Sequence, residues 1–197
     1  MSPSKIEHKL PLEVLEGLAL DQKPRIVMSE GNDPRVIAGA IAACNSGVCQ
    51  IILLGSQLGI KNECKNLGLN LPIDISIINP EKSELLPEFE KEYLNIRKKK
   101  GGSIKEAQTK IKEPLIFAAL MVRLGYSTGT VGGAVETTSN VVRAAIQIIG
   151  KSDDAKLISS CFLMYPKGTF PMVFSDCGLV INPDKYELAS IAVMAAQ

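Results

Sequence analysis

Arg25-Ile26-Val27-Met28-Ser29-Glu30-Gly31-Asn32-Asp33-Pro34 (RIVMSEGNDP, residues 25–34) is the stretch on which the fold turns. The compact apolar run Ile26-Val27-Met28 reads as a buried strand. The Gly, Asn, Asp and Pro that follow read as a turn, with Asp33 as N-cap and Pro34 at the first helical position, where a missing N–H costs nothing. From Pro34 to Asn45, Val36, Ile37, Ala40, Ile41 and Cys44 recur at helical period, and Gly47 stops the helix.

The cycle repeats downstream. Gln50 to Gly55 (QIILLG) is strand-like, residues 57–67 suit a short helix closed by Gly68, and Ile73 to Ile78 forms a third strand ending at Asn79-Pro80. Continuous apolar strands alternating with helices predict a mostly parallel sheet covered on both faces, the α/β class. Upstream, residues 11–20 carry apolar positions at helical spacing, ended by Lys23-Pro24. Further on, residues 88–100 form an amphipathic helix with Phe89, Tyr93 and Ile96 inward, and Gly101-Gly102-Ser103 breaks it. Ser103 and Glu106 have capping-box spacing for another helix. Pro114 opens an apolar helix through Leu124, which Gly125 ends. A strand from Gly129 to Val135 and a helix from about Ser139 to Ile149 follow. The polar stretch Gly150 to Asp154 reads as a linker. Beyond it lie two strands, 156–165 and 171–181, joined as a hairpin by Pro166 to Thr169, and a last helix from about Asp184 to the terminal Gln197.

Composition narrows the function classes. With 197 residues, 46% hydrophobic and 22% charged, the chain is unlike disordered, collagenous or coiled-coil sequences. Lys and Arg (22) nearly balance Asp and Glu (21), a net charge of +1. That balance gives no reason to expect nucleic acid or an anionic membrane as partner. Trp is absent and aromatics reach 5%, which argues against stacking platforms for single strands. Five widely spaced cysteines (Cys44, Cys49, Cys64, Cys161, Cys177) with no CxxC pair read as reduced, mostly buried thiols. No metal-ligand spacing occurs, and no apolar run approaches the ~18 residues of a membrane span. A cytoplasmic soluble protein is the expectation.

Two segments are candidates for anion binding. Arg97 begins the run Arg97-Lys98-Lys99-Lys100, and from Arg97 to Lys112 there are seven basic residues against one acidic, Glu106. Such cations either complement the dipole at a helix C-terminus or present donors to a phosphorylated ligand. The second is Gly132-Gly133-Ala134-Val135-Glu136-Thr137-Thr138-Ser139-Asn140 with Arg143. Here Thr137, Thr138 and Ser139 sit at a helix start, and Arg143 lies about one turn inside. A capped helix with one surface arginine explains it equally well. The turn at Ser29 to Arg35 also lies at the carboxyl end of a strand, where α/β folds place ligands. Cys177 invites a nucleophile reading, but a structural thiol suits it better, because the single histidine, His8, lies in the polar start.

Several segments, in order, resemble the phosphotransacetylases (phosphate acetyl- and butyryltransferases). They are RIVMSEGNDPRVIAGA, QIILLG, the IRKKKG run, EPLIFAALMVRLG, TVGGAVETTSNVVRAAIQII, and SSCFLM with FSDCGLVINP. The resemblance implies acyl transfer between acetyl phosphate and coenzyme A, with coenzyme A or acetyl-CoA as substrate, no permanently bound cofactor and no metal. It also implies that Arg97 holds coenzyme A through its phosphates and that Arg143 binds anionic groups, with Thr137, Thr138 and Ser139 beside it. Glu136 stands where many members have His, and Asn140 where many have Asp.

The same resemblance implies an αβα three-layer sandwich, isocitrate/isopropylmalate dehydrogenase-like, truncated in its second domain. Residues 1–151 would be the first domain and 152–197 the start of the second. In the family a later part, beyond the position of Gln197, supplies a Ser-Arg pair and an Asp proposed as the base that activates the thiol. No catalytic residue is therefore assigned within this chain, and it is expected to be inactive alone. The apolar stripe Leu188, Ile191, Ala192 and Ala195 predicts a homodimer or association through the last helix. Alternatives are a non-catalytic coenzyme A- or phosphate-binding or assembly remnant, and the phosphate-acetyltransferase-like module of a malic enzyme.

Overall fold

The alternation that marks residues 25–54 places β1 (Arg25–Met28) inside a parallel sheet. Its neighbours are β2 (Gln50–Leu54) on one side and β4 (Gly129–Val131) on the other. β3 (Ser76–Ile78) continues beyond β2, giving the order β3-β2-β1-β4. The computed structural model describes residues 11–98, 101–152, 155–166 and 171–196. His8, Lys99, Lys100, Asp153, Asp154, residues 167–169 and Gln197, which figure in the sequence expectations, lie outside the described residues. The last helix, expected to run to Gln197, is thus described only as far as Ala195, with Ala196 as its C-cap. The chain divides into two compact units, one up to Gly150 and one from Lys151.

Period-two alternation along the strands feeds two separate cores. Val27, Ile52 and Leu54 face one side, where they join Phe89, Phe117 and Leu120. Ile51 and Leu53 face the other, with Ile37, Ile41 and Ile60. The second side is covered by α2 (Pro34–Ser46) and α3 (Gln57–Asn66), and the first by α4 (Leu86–Arg97), α5 (Ile104–Lys110), α6 (Pro114–Arg123) and α7 (Thr138–Ala144). Helices on both faces make the first unit an α/β structure of three layers. Residues Ile116 to Met121 of α6 are all buried, so this helix is apolar all round because it is covered all round. α1 (Pro11–Gln22) precedes β1 and leaves Leu12, Leu15 and Leu18 exposed.

Local signals set the helix ends as read. Asp33 accepts from the Arg35 N–H at the start of α2, and Gly47 ends it at φ 75. Ser103 caps α5 through the Glu106 N–H. Two strands are shorter than their apolar runs predict. Ile73 is exposed and the Ile75 N–H turns back to the Pro72 carbonyl, so β3 begins only at Ser76. β4 stops at Val131 because the N–H groups that follow bond a side chain instead of a neighbouring strand. α7 runs on into a π-helical segment, Ala145–Ile149, closed by the Gly150 N–H on the Ala145 carbonyl.

In the second unit β5 (Cys161–Met164) and β6 (Met172–Ser175) pair antiparallel, with Phe162 opposite Phe174. α8 (Lys185–Ala195) opens on a capping box between Asp184 and Glu187, and its Ile191 is buried. Both strands are shorter than expected from the sequence. The Asp176 carboxylate takes the N–H groups of Ser160, Gly178, Leu179 and Val180, bending the flanking backbone out of the ladder. The expectation of mostly buried thiols is corrected: Cys64 is buried, Cys44, Cys49 and Cys177 are half-buried, and Cys161 is exposed. Among the described residues no helix is long and apolar enough to cross a membrane.

Candidate active site

All four strands of the first unit run in one direction, so their carboxyl ends open on the same side. A cavity of about 1000 Å³ lies there, lined by the turns after each strand: Ser29 and Glu30 after β1, Gly55 and Ser56 after β2, Asn79 and Pro80 after β3, Val135 and Glu136 after β4. Parallel α/β sheets bind ligands at this edge because loops converge there and helices present their amino ends. Close packing at the edge requires glycine. A Cβ on Gly132 would stand 2.5 Å from Ser29 Oγ, and one on Gly31 would stand 2.6 Å from the Leu54 carbonyl oxygen.

One wall of the cavity is a polar row on α7 and its continuation. Glu136, just before the Thr137 cap, lines it with Asn140, Arg143 and Gln147, the last three at spacings of three and four that share a helix face. The row is bonded internally. The Asn140 amide nitrogen donates to Glu136 at 2.8 Å, and the Asn140 amide oxygen accepts from Arg143 at 3.2 Å. Gln147 Nε2 donates to the Tyr93 hydroxyl at 3.4 Å. Burial pushes the Tyr93 pKa up, so this hydroxyl stays neutral.

The anion site expected at the start of this helix is arranged differently. Gly133 and Ala134 each donate a backbone N–H to one Glu30 oxygen at 2.8 Å, while Val135 (2.8 Å) and Glu136 (2.6 Å) donate to the other. Partial burial pushes the Glu30 carboxyl up, but the four donors outweigh it and hold its pKa below the ordinary value. Thr137 is the N-cap, its hydroxyl accepting from the Asn140 N–H at 3.2 Å. Thr138 and Ser139 are exposed in the first turn, and none of these three lines the cavity.

The two arginines singled out in the sequence are placed apart. Arg143 is in the cavity wall; Arg97, the last residue of α4, is not. Arg97 Nη2 lies 3.7 Å from Glu106, and its Nε is buried with no hydrogen-bond partner among the described residues. Tyr93, one turn earlier, links that helix to the cavity through Gln147. Other charges at the edge are committed. The Arg35 guanidinium lowers the Asp33 carboxyl to about 2, and Lys110 pairs with Glu113 at 2.8 Å. Arg143 and Lys112 are the cavity cations without an ion pair among the described residues. Among the described residues no group of three or more His, Cys, Asp or Glu side chains could hold a metal ion.

Glu30 and Asn140 fall in segments that the sequence offers as candidate ligand turns and Lys112 in its basic run, though none is singled out there, and Gln147 lies outside all of these segments. The helical spacing from Glu136 to Gln147 was a signal for two of them. The sequence places Glu30 in a turn at the carboxyl end of a strand but gives no sign of its partners, which are more than a hundred residues away.

The profile of a family described as Phosphate acetyl/butaryl transferase matches residues 12–197. The chain is 39% identical over 183 residues to a phosphate acetyltransferase of Helicobacter pylori, covering 93% of this chain and 35% of that protein. It is 38% identical over 191 residues to a phosphate acetyltransferase of Paracoccus denitrificans, covering 94% and 56%. In structure it resembles the EutD phosphotransacetylase from Staphylococcus aureus (TM-score 0.82, 30% identity, 92% of this chain and 56% of that one). It also resembles a phosphotransacetylase from Streptococcus pyogenes (TM-score 0.85, 31% identity, 92% and 55%). The chain thus spans about half the length, or less, of the relatives it matches.

Proposed function

The chain belongs to the phosphate acetyl/butaryl transferase family, and from that membership we propose that it contributes the anion-holding part of an acetyl transfer between acetyl phosphate and coenzyme A. The observation that carries the reading is Arg143, a cation without an ion pair among the described residues. It is oriented by Asn140 in the wall of a large cavity at the carboxyl edge of a parallel sheet.

In the reaction a thiolate of coenzyme A attacks the acetyl carbonyl carbon. The carbon–sulfur bond forms, the bond from that carbon to the phosphate oxygen breaks, and inorganic phosphate leaves with the electron pair. The thiol proton passes to a general base. Charge grows on the leaving phosphate, and a guanidinium offers paired donors matched to phosphate oxygens. Arg143 is assigned that role. Arg97 is assigned to the phosphates of coenzyme A, supported by its buried, unbonded Nε and by the bond between Gln147 in the cavity wall and Tyr93, one turn before Arg97 on the same helix. The Thr138 and Ser139 hydroxyls, with Thr137 as cap, would serve anions at the rim.

The finer family expectations are part of the same proposal: an isocitrate/isopropylmalate dehydrogenase-like fold, substrates rather than a bound cofactor, a cytoplasmic setting, and residues 1–151 and 152–197 as parts of two domains. A homodimer joined through α8 is supported by the exposure of Leu188 and Val193.

The test is direct. Coenzyme A binding to the chain is measured by calorimetry, and acetyl-CoA formation from acetyl phosphate is followed at the same time. Binding that weakens in Arg143→Ala and Arg97→Ala supports the assignment. Binding without turnover places the base elsewhere, whereas no binding of coenzyme A or phosphate defeats the proposal.

A further inference from the structure

We propose that Glu30 is a positioning residue of this site: its carboxylate is the internal anion that sets the loop before α7 and so holds the Glu136–Asn140–Arg143 row against the cavity. The inference rests on the reading of that row as a phosphate site and deepens it.

Four consecutive N–H groups, Gly133 to Glu136, converge on the two oxygens of one carboxylate at 2.6–2.8 Å. Consecutive amides pointing inward form a concave nest that attracts anions. Gly133, at φ 106, supplies the backbone turn that brings them round. An open nest at the edge of a phosphate-binding cavity would compete with a side chain for the ligand. Glu30 closes it with a fixed negative charge, leaving Arg143 to meet the substrate.

The start of α2 grips the loop from its other side. Arg35 Nη2 donates to the Ala134 carbonyl at 2.6 Å, while Arg35 is itself held by both oxygens of Asp33, at 3.0 and 2.8 Å. The turn after β1 and the start of α2 therefore engage N–H and C=O groups of one five-residue loop, and a rigid sheet edge is the support. The last amide of the nest belongs to Glu136. That residue's carboxylate accepts from Asn140, and Asn140 accepts from Arg143. The hydrogen bonds thus run from the turn after β1 to the guanidinium, broken only by the Glu136 side chain itself. A supporting group of this kind acts through geometry, because a displacement of about 1 Å at a binding group can cost on the order of a hundredfold.

The experiment uses the whole chain labelled with 15N and 13C. In the wild type, couplings across the hydrogen bonds from the amides of 133–136 to the Glu30 carboxyl carbon are expected, and their absence overturns the proposal without any variant. In Glu30→Ala the signals of the Asn140 side-chain amide and Arg143 Nε should shift, and formate, unlike chloride, should return them toward wild type. The dissociation constant for inorganic phosphate at Arg143, read from its Nε signal, should rise about tenfold or more in the variant and recover with formate. Unmoved Asn140 and Arg143 signals, or phosphate binding unchanged in a folded Glu30→Ala, overturn the positioning role. Should Glu30→Ala fail to fold, Glu30→Gln keeps one acceptor oxygen and is expected to shift the same signals part of the way. If the wild type binds neither phosphate nor coenzyme A, the functional reading falls, while the couplings and the Asn140 and Arg143 signals still decide the role of Glu30.

Discussion

Asn140 stands between charges of opposite sign, donating to Glu136 and accepting from Arg143. A neutral amide there holds the guanidinium without consuming it in an ion pair, so its remaining N–H groups stay available for phosphate oxygens. Loss of charge-assisted hydrogen bonds costs about 1.5–3 kcal/mol, so Arg143→Ala should weaken coenzyme A or phosphate binding roughly tenfold to a hundredfold by calorimetry. Asn140→Ala keeps the charge and removes its support, and a smaller loss is expected in the same titration. Gly132 makes a second prediction at this scale. Its missing Cβ leaves room for Ser29 Oγ, a buried group 2.5 Å from where that carbon would lie. Gly132→Ala should cost about 1–3 kcal/mol in urea unfolding, as overpacking does. Adding Ser29→Ala should recover part of it, and a purely additive pair would refute the clash.

The strands show how far apolar runs can mislead about element length. Residues 129–135 read as one strand, yet β4 ends at Val131, where a carboxylate replaces the neighbouring strand as acceptor. Asp176 does the same in the second unit, shortening both strands of the hairpin. Apolar content records burial, whereas ladder membership depends on where each N–H finds its acceptor. α6 is the opposite case, since its all-round burial was plain from composition and its Pro114 start. Phe117 of α6 is fully buried and meets Phe89 of α4 with ring centroids 4.7 Å apart. Phe117→Ala should lower unfolding free energy by about 3–5 kcal/mol. A loss well below that in denaturant titration would mean that these helices are less firmly packed than described.

At the scale of the whole molecule, three carboxyls among the described residues have depressed pKa values: Asp33 at about 2 beside Arg35, Glu30 in its nest, and Asp176. For Asp176 the Val180 N–H leads, and the Ser160 and Leu179 donors with it outweigh burial. A group whose pKa is lowered by folding stabilises the folded state above its unfolded value and loses that contribution as pH falls through the folded value. Unfolded carboxyls titrate near ~4, so stability should hold at neutral pH and decline below about 4. Urea midpoints measured from pH 7 down to pH 2 check the sign. Glu30→Gln and Asp176→Asn should each flatten the decline. A midpoint that rises on acidification would contradict the hydrogen bonding described here.

The sequence by itself determined the class of fold, because hydrophobic period and turn chemistry are local properties that each segment carries with it. The strand–turn–helix reading of residues 25–47, the caps at Asp33 and Gly47, and the alternation that covers the sheet on both faces all stand in the structure. The position of Arg143 one turn inside a helix that follows a strand was legible as well, and the structure puts it in the cavity wall. What only the tertiary structure decided is which groups share the site. Glu30 meets residues 133–136 because parallel strands bring distant loops to one edge, and Gln147 reaches Tyr93 across two helices. Arg97 was placed outside the cavity wall by the same packing. Pairings at separations of 54 to 106 residues leave no period in the chain, since they depend on strand order and helix packing. The near-neutral charge of the whole was therefore never a guide to the site, where oppositely charged side chains are sorted by distances that only folding sets.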